Sequence, residues 1–373
     1  YPKYQLNDVE IDKDKQEGEI KGIQFLDIFL TTIGSGQKII YEDYINKLIK
    51  DNTFKKGQKN FSYAALSTPS QLLNISYPSE ERDIKYHYGE KGLKEIMNFN
   101  RSSMTDFEYK ENYEGFFKIN KLQEWSGKIT KIIKEIEKSE GIILIYSQYI
   151  AGGCIPMALA LEEAGYGKHR GKSIFKKPPA KPVDGKTRGS YIMITGQTKS
   201  GELIKDLSDC NAVDNKNGDK IKVVIISRAG SEGLDFANMR QVHILDAWYN
   251  LNRTGQIEGR AIRNQSHCNL KIEKRNVLIF LHGTHGLTDE KEAIDLYMYR
   301  IAEEKAILSG KVARVLKENA VDCLLNENQK QSNKDKLNVT KKIKLSNTHE
   351  INFEIGHHDK TQICDFMDCN YNC

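Results

Sequence analysis

The chain has 373 residues, 39% of them apolar, with 56 Lys and Arg against 51 Asp and Glu for a net charge of +5. That is enough apolar content for two or three globular parts, and so mild a basic balance permits a polyanionic partner without requiring one. No stretch approaches 18 uninterrupted apolar residues, and the N-terminus has no signal-peptide pattern, so neither a membrane span nor secretion is expected.

Taken in chain order, residues 1 to about 115 are polar and lack a sustained period. One helix is expected there, over "GQKIIYEDYINKLIK", and "STPSQLLNISYPSEERD" reads as a loop. From Leu122 the apolar positions Trp125, Ile129, Ile132, Ile133 and Ile136 recur at three and four, which predicts one amphipathic helix to about Lys138. The aliphatic run "GIILIYS" then reads as a strand buried on both faces, and "CIPMALALEEAGYG" as a helix stopped by glycine. Next come "YIMIT", a polar helix around "GELIKDLSD", then "IKVVIIS", "QVHILDA", a helix through "QIEGRAIR", and "NVLIFLHG". Strands alternating with segments of helical length predict a parallel α/β sheet with crossover helices.

Residues 288 to 326 read as helical, broken at Gly310, and the charged, Asn-rich "NENQKQSNKDKLNVTKKIKLSN" as a linker. The expected organisation is therefore an accessory segment (1–115), the α/β lobe (116–286), a helical extension (287–330), and a linker with a cysteine-containing tail (331–373). Opening without Met and ending on a cysteine, the chain is compatible with being a piece of something longer.

The residues with chemical promise lie after the strands, because open α/β sheets bind ligands outside the carboxyl ends of their strands. "SRAGSEGLDF" follows "IKVVIIS" directly, so Gly230 and Gly233 let backbone approach a ligand, with Asp235 just beyond. In "QIEGRAIR", spacings of four and three set Gln256, Arg260 and Arg263 on one helical face, with Gly259 between them. Planar guanidinium forks suit an oxygen-rich anion such as phosphate, although two arginines on a helix are commonly only solvated or salt-bridged.

The order of these pieces resembles motifs V and VI of superfamily 2 helicases and translocases, in the second RecA-like lobe. "ISRAGSEGLDFANMRQVHILDAWYN" is similar to motif V, the Gln-x-x-Gly-Arg-x-x-Arg of residues 256 to 263 to motif VI, and "IYSQYIAGGCIPMALALEEAGY" to the motif IV strand and helix. "GRAIRNQSH", "LKENAVDCLLN" and "CDFMDCNYNC" resemble more closely the helicase-like ATPases of nucleocytoplasmic large DNA viruses. That group includes the small subunit of the poxvirus early transcription factor and the viral nucleoside triphosphate phosphohydrolase. The resemblance covers roughly residues 115 to 373.

The resemblance implies a RecA-like lobe in which Gln256, Arg260 and Arg263 meet the β- and γ-phosphates of ATP. Gly233, Asp235 and Gly259 would line the nucleotide, and Thr195 and Ser227 would touch a nucleic-acid backbone. It implies ATP with Mg2+, a nucleic-acid track of DNA or RNA, a first RecA-like lobe and viral transcription partners, in the cytoplasm or the virion. However, the chain has no Gly-x-x-x-x-Gly-Lys-Ser/Thr loop to cradle phosphates and no Asp-Glu pair after an apolar strand. It is expected to be the C-terminal lobe of an ATP-dependent helicase or translocase, inactive by itself. The alternative is a non-catalytic RecA-like module that binds nucleic acid or a transcription complex.

Two further features stand outside the motifs. The segment 167–189 carries eight Lys or Arg against one Asp, with three prolines. It is either a solvated, proline-stiffened loop or a phosphate-backbone contact through Lys176 and Lys177, with Phe175 placed to stack on a base. In the tail, Cys364, Cys369 and Cys373, with His357 and His358 upstream, offer the donors of a tetrahedral Zn2+ site. Free thiols, or a site completed by residues elsewhere, are the competing readings. Cys323 reads as a helix core residue, and seven cysteines in all argue against a complete disulfide framework.

Overall fold

A computed structural model describes residues 2–11, 22–55, 57–180, 188–228, 233–324, 339–356, 358–369 and 373. Its centre is a seven-stranded sheet in which every pairing is parallel. The strands are β1 (Ile28–Thr32), β4 (Ile142–Tyr146), β5 (Gly167–Lys168), β6 (Ser190–Ile194), β7 (Ile221–Ile226), β8 (Met239–Ile244) and β9 (Leu278–His285), in the spatial order β1-β9-β8-β4-β7-β6-β5. The expected α/β lobe with a parallel sheet is thus present. All five residues of β4 are buried, as a central strand covered on both faces requires.

Alternation of side chains splits the interior into two cores. Ile142, Leu144 and Tyr146 of β4, with Val224 and Ile226 of β7, face one core, whereas Ile143 and Ile145, with Val223 and Ile225, face the other. The first core is covered by α1 (Ser35–Lys50), α2 (Tyr63–Asn74), α8 (Leu251–Ala261) and α9 (Ile294–Glu318), and the second by α3 (Gly89–Ile96), α5 (Gly127–Glu137) and α6 (Ile155–Glu163). The crossover helix α7 (Ser200–Asn211) flanks β6 and β7.

Residues before 115 are built into this lobe. β1 extends the sheet beside β9, and Tyr41, Leu72 and Leu73 lie in the same core as Leu144 and Ile257. The "STPSQLLN" stretch read as a loop is the body of α2, which continues through Pro69. A proline inside a helix costs about 3 kcal/mol. Complete burial of Leu66, Leu72 and Leu73, about 1.5–3 kcal/mol each, offsets it. A short antiparallel pair, β2 (Met97–Asn100) and β3 (Thr105–Tyr109), packs over the second core.

The single helix expected from Leu122 to Lys138 is two, α4 (Ile119–Trp125) and α5. Ser126 breaks it: its hydroxyl accepts from Ile129 N at 3.1 Å and donates to the Asn74 carbonyl at 2.5 Å. The next residue passes so close to β1 that a Cβ on Gly127 would lie 2.2 Å from the Thr32 carbonyl oxygen.

Conversely, α9 runs unbroken through Gly310, where a Cβ would fall 1.9 Å from the Asp365 carbonyl oxygen. That glycine marks the seat of the C-terminal tail rather than a helix break. Part of the expected linker is a hairpin, β10 (Val339–Lys344) paired antiparallel with β11 (Glu350–Ile355). No described helix is long and apolar enough to cross a membrane.

Candidate nucleotide-facing site

The carboxyl ends of β6, β7, β4 and β8 open side by side. Thr195 stands at the end of β6, half-buried, its hydroxyl accepting from Gln197 N at 3.3 Å. Ser227 stands at the end of β7, 2% exposed, its backbone N–H bonded to the Ile194 carbonyl at 3.0 Å. The two strand ends carrying them are therefore directly linked. Beyond β8, buried Asp246 accepts from Gln148 N at 2.5 Å and from Asn74, which ties β8, β4 and α2 together. Burial raises the Asp246 carboxyl above its ordinary range, and hydrogen bonds from Asn74, Ser147 and Gln148 N oppose that rise.

After Ser227 the chain reaches Gly233, exposed and in the left-handed region (φ 73°) that favours glycine. Gly230 lies outside the described residues. Leu234 and Phe236 are buried and anchor the segment in the first core, so Asp235 between them is turned outward. α8 packs beside it through Ile257 and Ala261. The two segments are joined by backbone: Arg260 Nη1 donates to the Leu234 carbonyl at 3.1 Å, and Phe236 N donates to the Arg260 carbonyl at 3.3 Å.

Asp235 gathers the arginines. Its Oδ1 is 2.6 Å from Arg263 Nη1 and 4.0 Å from Arg260 Nη1. Arg263 lies past the end of α8, because Ile262 leaves helical geometry (φ −114°, ψ 72°). Its Nε donates back to the Gly259 carbonyl at 3.3 Å, which returns the side chain to the cluster. Gln256 is exposed on α8, one turn before Arg260. A Cβ on Gly259 would meet nothing within 4 Å, so the space beside the arginines is open. The Asp235 and Arg263 side chains are 62% and 46% exposed, and an ion pair so solvated is worth about 0–1 kcal/mol. The pair holds the guanidinium in place yet is cheaply exchanged for another anion.

A second feature at this edge was not legible as a cluster in the sequence. Tyr63 from the start of α2 stacks on Tyr249 (centroids 4.0 Å), Trp248 lies 4.5 Å from Tyr249, and the Arg253 guanidinium sits 3.9 Å above the Trp248 ring. Lys305 of α9 completes it, 4.8 Å and 5.0 Å from the Tyr63 and Tyr249 rings. Only the adjacent aromatics of "DAWYN" signalled it. Tyr63 and Lys305 arrive from distant parts of the chain.

Residues 127–265 match the helicase conserved C-terminal domain. The chain carries a helicase C-terminal domain. Among curated proteins, "Putative helicase 087L" of Invertebrate iridescent virus 3 is 29% identical over 260 residues, covering 68% of this chain and 24% of the viral protein. A "Termination factor NPH-I homolog" of African swine fever virus (isolate Warthog/Namibia/Wart80/1980) is 31% identical over 238 residues, covering 54% of this chain and 33% of the relative. The chain thus spans a quarter to a third of the length of these two relatives. Among solved structures, the C-terminal part of the Fun30 ATPase domain aligns with a TM-score of 0.41 at 15% identity, covering 74% of this chain and 87% of that one.

Other expected site residues fall elsewhere in the chain. Phe175 is not a stacking platform: it is 5% exposed, packed against Tyr109 at 5.6 Å in the second core. The backbone explains why, since Ile174 accepts from Phe107 N and Lys176 N donates to the Phe107 carbonyl, both at 2.9 Å, stitching this segment to β3. Lys176 is paired with Glu108 at 2.8 Å, and Lys177 is exposed. Both follow a core residue on the sheet face opposite α8, so they do not join Arg260 and Arg263. Residues 181–187 of the basic segment lie outside the described residues.

The Zn2+ reading of the tail is corrected. Cys364 pairs with Cys369 and Cys323 with Cys373 in disulfides, and no cluster of three His, Cys, Asp or Glu among the described residues could hold a metal ion. Cys323 is therefore a covalent partner of the tail and not merely a core residue. His357 lies outside the described residues, and His358 bonds to the Glu354 carbonyl at 3.1 Å. His267, after the arginines, bonds Met239 O and Ser266, as a structural histidine does.

Proposed function

We propose that this chain is the second lobe of an ATP-dependent helicase or translocase acting in viral transcription, and that its arginine cluster faces the phosphates of ATP. The observation that carries this reading is the convergence of Arg260 and Arg263 on exposed Asp235 at the carboxyl edge of the sheet. Two guanidiniums are held in place by backbone carbonyls, and the carboxylate they share among the described residues, Asp235, is a solvated one that a polyphosphate can displace. In this reading Gln256 adds a donor from the preceding turn, while Gly233 and Gly259 leave room for the nucleotide. Asp235, once released, faces the ribose side.

The printed names of the relatives support the wider setting: a termination factor homologue and, in Acanthamoeba polyphaga mimivirus, a putative ATP-dependent RNA helicase 27% identical over 300 residues. Mg2+ would arrive with ATP and neutralise phosphate charge. Of the two linked strand ends, half-buried Thr195 offers its hydroxyl to a nucleic-acid backbone and buried Ser227 sets the position of that end through its N–H bond to the Ile194 carbonyl, while the Tyr63, Trp248 and Tyr249 cluster adds aromatic faces at the carboxyl edge of the sheet.

The test is ATP hydrolysis by the two-lobe protein with and without single- or double-stranded nucleic acid. The motor reading predicts turnover that nucleic acid stimulates, with Thr195→Ala and Ser227→Ala reducing the stimulation more than the basal rate. Nucleic-acid binding without any turnover by the two-lobe protein would favour a non-catalytic binding module instead.

A further inference from the structure

The pole of the sheet opposite the arginine cluster has a cleft of its own. It encloses about 630 Å³ where β4, β6, β7 and β8 begin, and Arg188, Lys216, Lys222, Arg240 and Lys274 line it against Glu137, Glu140 and Asp219. Two of those acids are already engaged. Glu137 pairs with Arg188, and Glu140 pairs with Lys274 at 2.7 Å and with Lys344 at 2.9 Å. What is left is Lys216, Lys222 and Arg240 facing Asp219, and none of these three cations is in an ion pair among the described residues.

The two deeper cations are held by neutral groups. Lys222 Nζ donates to the Ser139 carbonyl at 2.7 Å. Arg240, 1% exposed, donates from Nε to the Asn276 carbonyl at 3.1 Å and from Nη2 to the Lys344 carbonyl at 2.6 Å. Withdrawing a cation from water without a counter-charge is costly. Burial accordingly pulls Lys222 down to about 8, against a smaller opposing pull from Glu140 and Asp219, and lowers Arg240 as well, against Glu140.

Gly141 and Gly218 bring the walls close. A Cβ on Gly141 would fall 2.3 Å from Arg240 Cγ, and one on Gly218 would fall 2.9 Å from the Gly141 carbonyl oxygen, so side chains are excluded where the cations converge. An ammonium and a guanidinium fixed by carbonyls, with excess positive charge in a mainly polar cleft, suit a multiply charged oxyanion.

We propose that this cleft is a second phosphate-binding site, separate from the arginine cluster, in which Lys216 and Lys222 contact phosphate oxygens and Arg240 supplies buried positive charge. The Arg240 link to the Lys344 carbonyl connects an occupied cleft to the β10–β11 hairpin.

The test is calorimetric titration of pyrophosphate into the whole chain carrying Arg260→Ala and Arg263→Ala, which removes the other phosphate-facing site. Binding is expected to survive in that background and to weaken at least tenfold on adding Lys222→Met or Lys216→Ala. Lys216 is only half-buried, so its variant keeps the fold even if Lys222→Met does not. A parallel titration with a single-stranded oligonucleotide lacking terminal phosphates separates the two sources of phosphate. If Lys216→Ala weakens it too, the cleft takes nucleic-acid backbone; if only pyrophosphate is affected, it takes a small phosphate ligand. No pyrophosphate binding in the arginine-less background, or binding indifferent to both lysines, overturns the proposal.

Discussion

Replacing Lys128 with Met should destabilise the lobe more than any change at its surface. Lys128 Nζ is 2.8 Å from Asp295 Oδ2, and the two side chains are 2% and 3% exposed. The ammonium also donates to the Leu245 carbonyl at 3.1 Å, while Asp295 accepts from Thr284 Oγ1 at 2.7 Å and from Leu296 N at 2.8 Å. Lys128→Met leaves that carboxylate two neutral donors and no cation, in a site closed to water. Removing one partner of a buried pair costs about 3–5 kcal/mol, a large part of the roughly 5–15 kcal/mol that keeps a domain folded.

The double variant Lys128→Met, Asp295→Leu removes both charges. Such replacements are often neutral to within a few kcal/mol, so it should recover much of the loss. Urea unfolding followed by circular dichroism gives all four corners of the cycle. The reasoning fails if Lys128→Met costs under about 1 kcal/mol, the range of solvated pairs, or if the double variant is as unstable as the sum of the singles.

The tail gives two further expectations. Gly310→Ala places a methyl 1.9 Å from the Asp365 carbonyl oxygen, so it should cost about 1–3 kcal/mol and loosen the segment held by the Arg314–Asp365 pair. Limited proteolysis should then cut the variant between residues 358 and 369 sooner than the wild type. Loss of the Cys323–Cys373 bridge, which spans 50 residues, should lower stability by about 2–4 kcal/mol, read from urea unfolding of Cys323→Ser, Cys373→Ser beside wild type. Acid should destabilise the lobe through His243, which burial on β8 holds at about 3, below the ordinary 6.5. The unfolded chain binds that proton first, so stability is full above about 6.5 and falls as pH drops towards 3, by up to roughly 1.4 kcal/mol per unit. His243→Gln should flatten that slope; an unchanged slope refutes the assignment.

What could be read from the sequence was what is local. β4, β7, β8 and β9 announced themselves as aliphatic runs of strand length, and α1 and α6 as helices of the right period. β1 did not, because "IFLTT" ends in threonines and its partner β9 lies some 250 residues on. Pro69 made α2 look like a loop, and only burial of the leucines after it shows why a helix forms. At the site, spacing placed Gln256 and Arg260 on one helix but extended that helix two residues too far, to Arg263 instead of Ala261. The backbone leaves it at Ile262, and Arg263 returns only through Asp235 and the Gly259 carbonyl. The pairing of Asp235 with both arginines depends on two segments about 25 residues apart meeting at a sheet edge, which no motif spacing encodes. The tail cysteines misled for a related reason: thiols crowded within ten residues can share a metal or pair as a disulfide, and Cys323 lies 50 residues from its partner.

The most direct test of the account is the turnover number for ATP of the two-lobe protein carrying Arg263→Ala, measured beside wild type at saturating nucleic acid with the fold checked by circular dichroism. If Arg263 meets the γ-phosphate as charge develops, kcat should fall about 10³–10⁵-fold while ATP still binds. A variant that folds and turns over ATP at the wild-type rate would show that the cluster on Asp235 is a surface ion pair and not part of a nucleotide site.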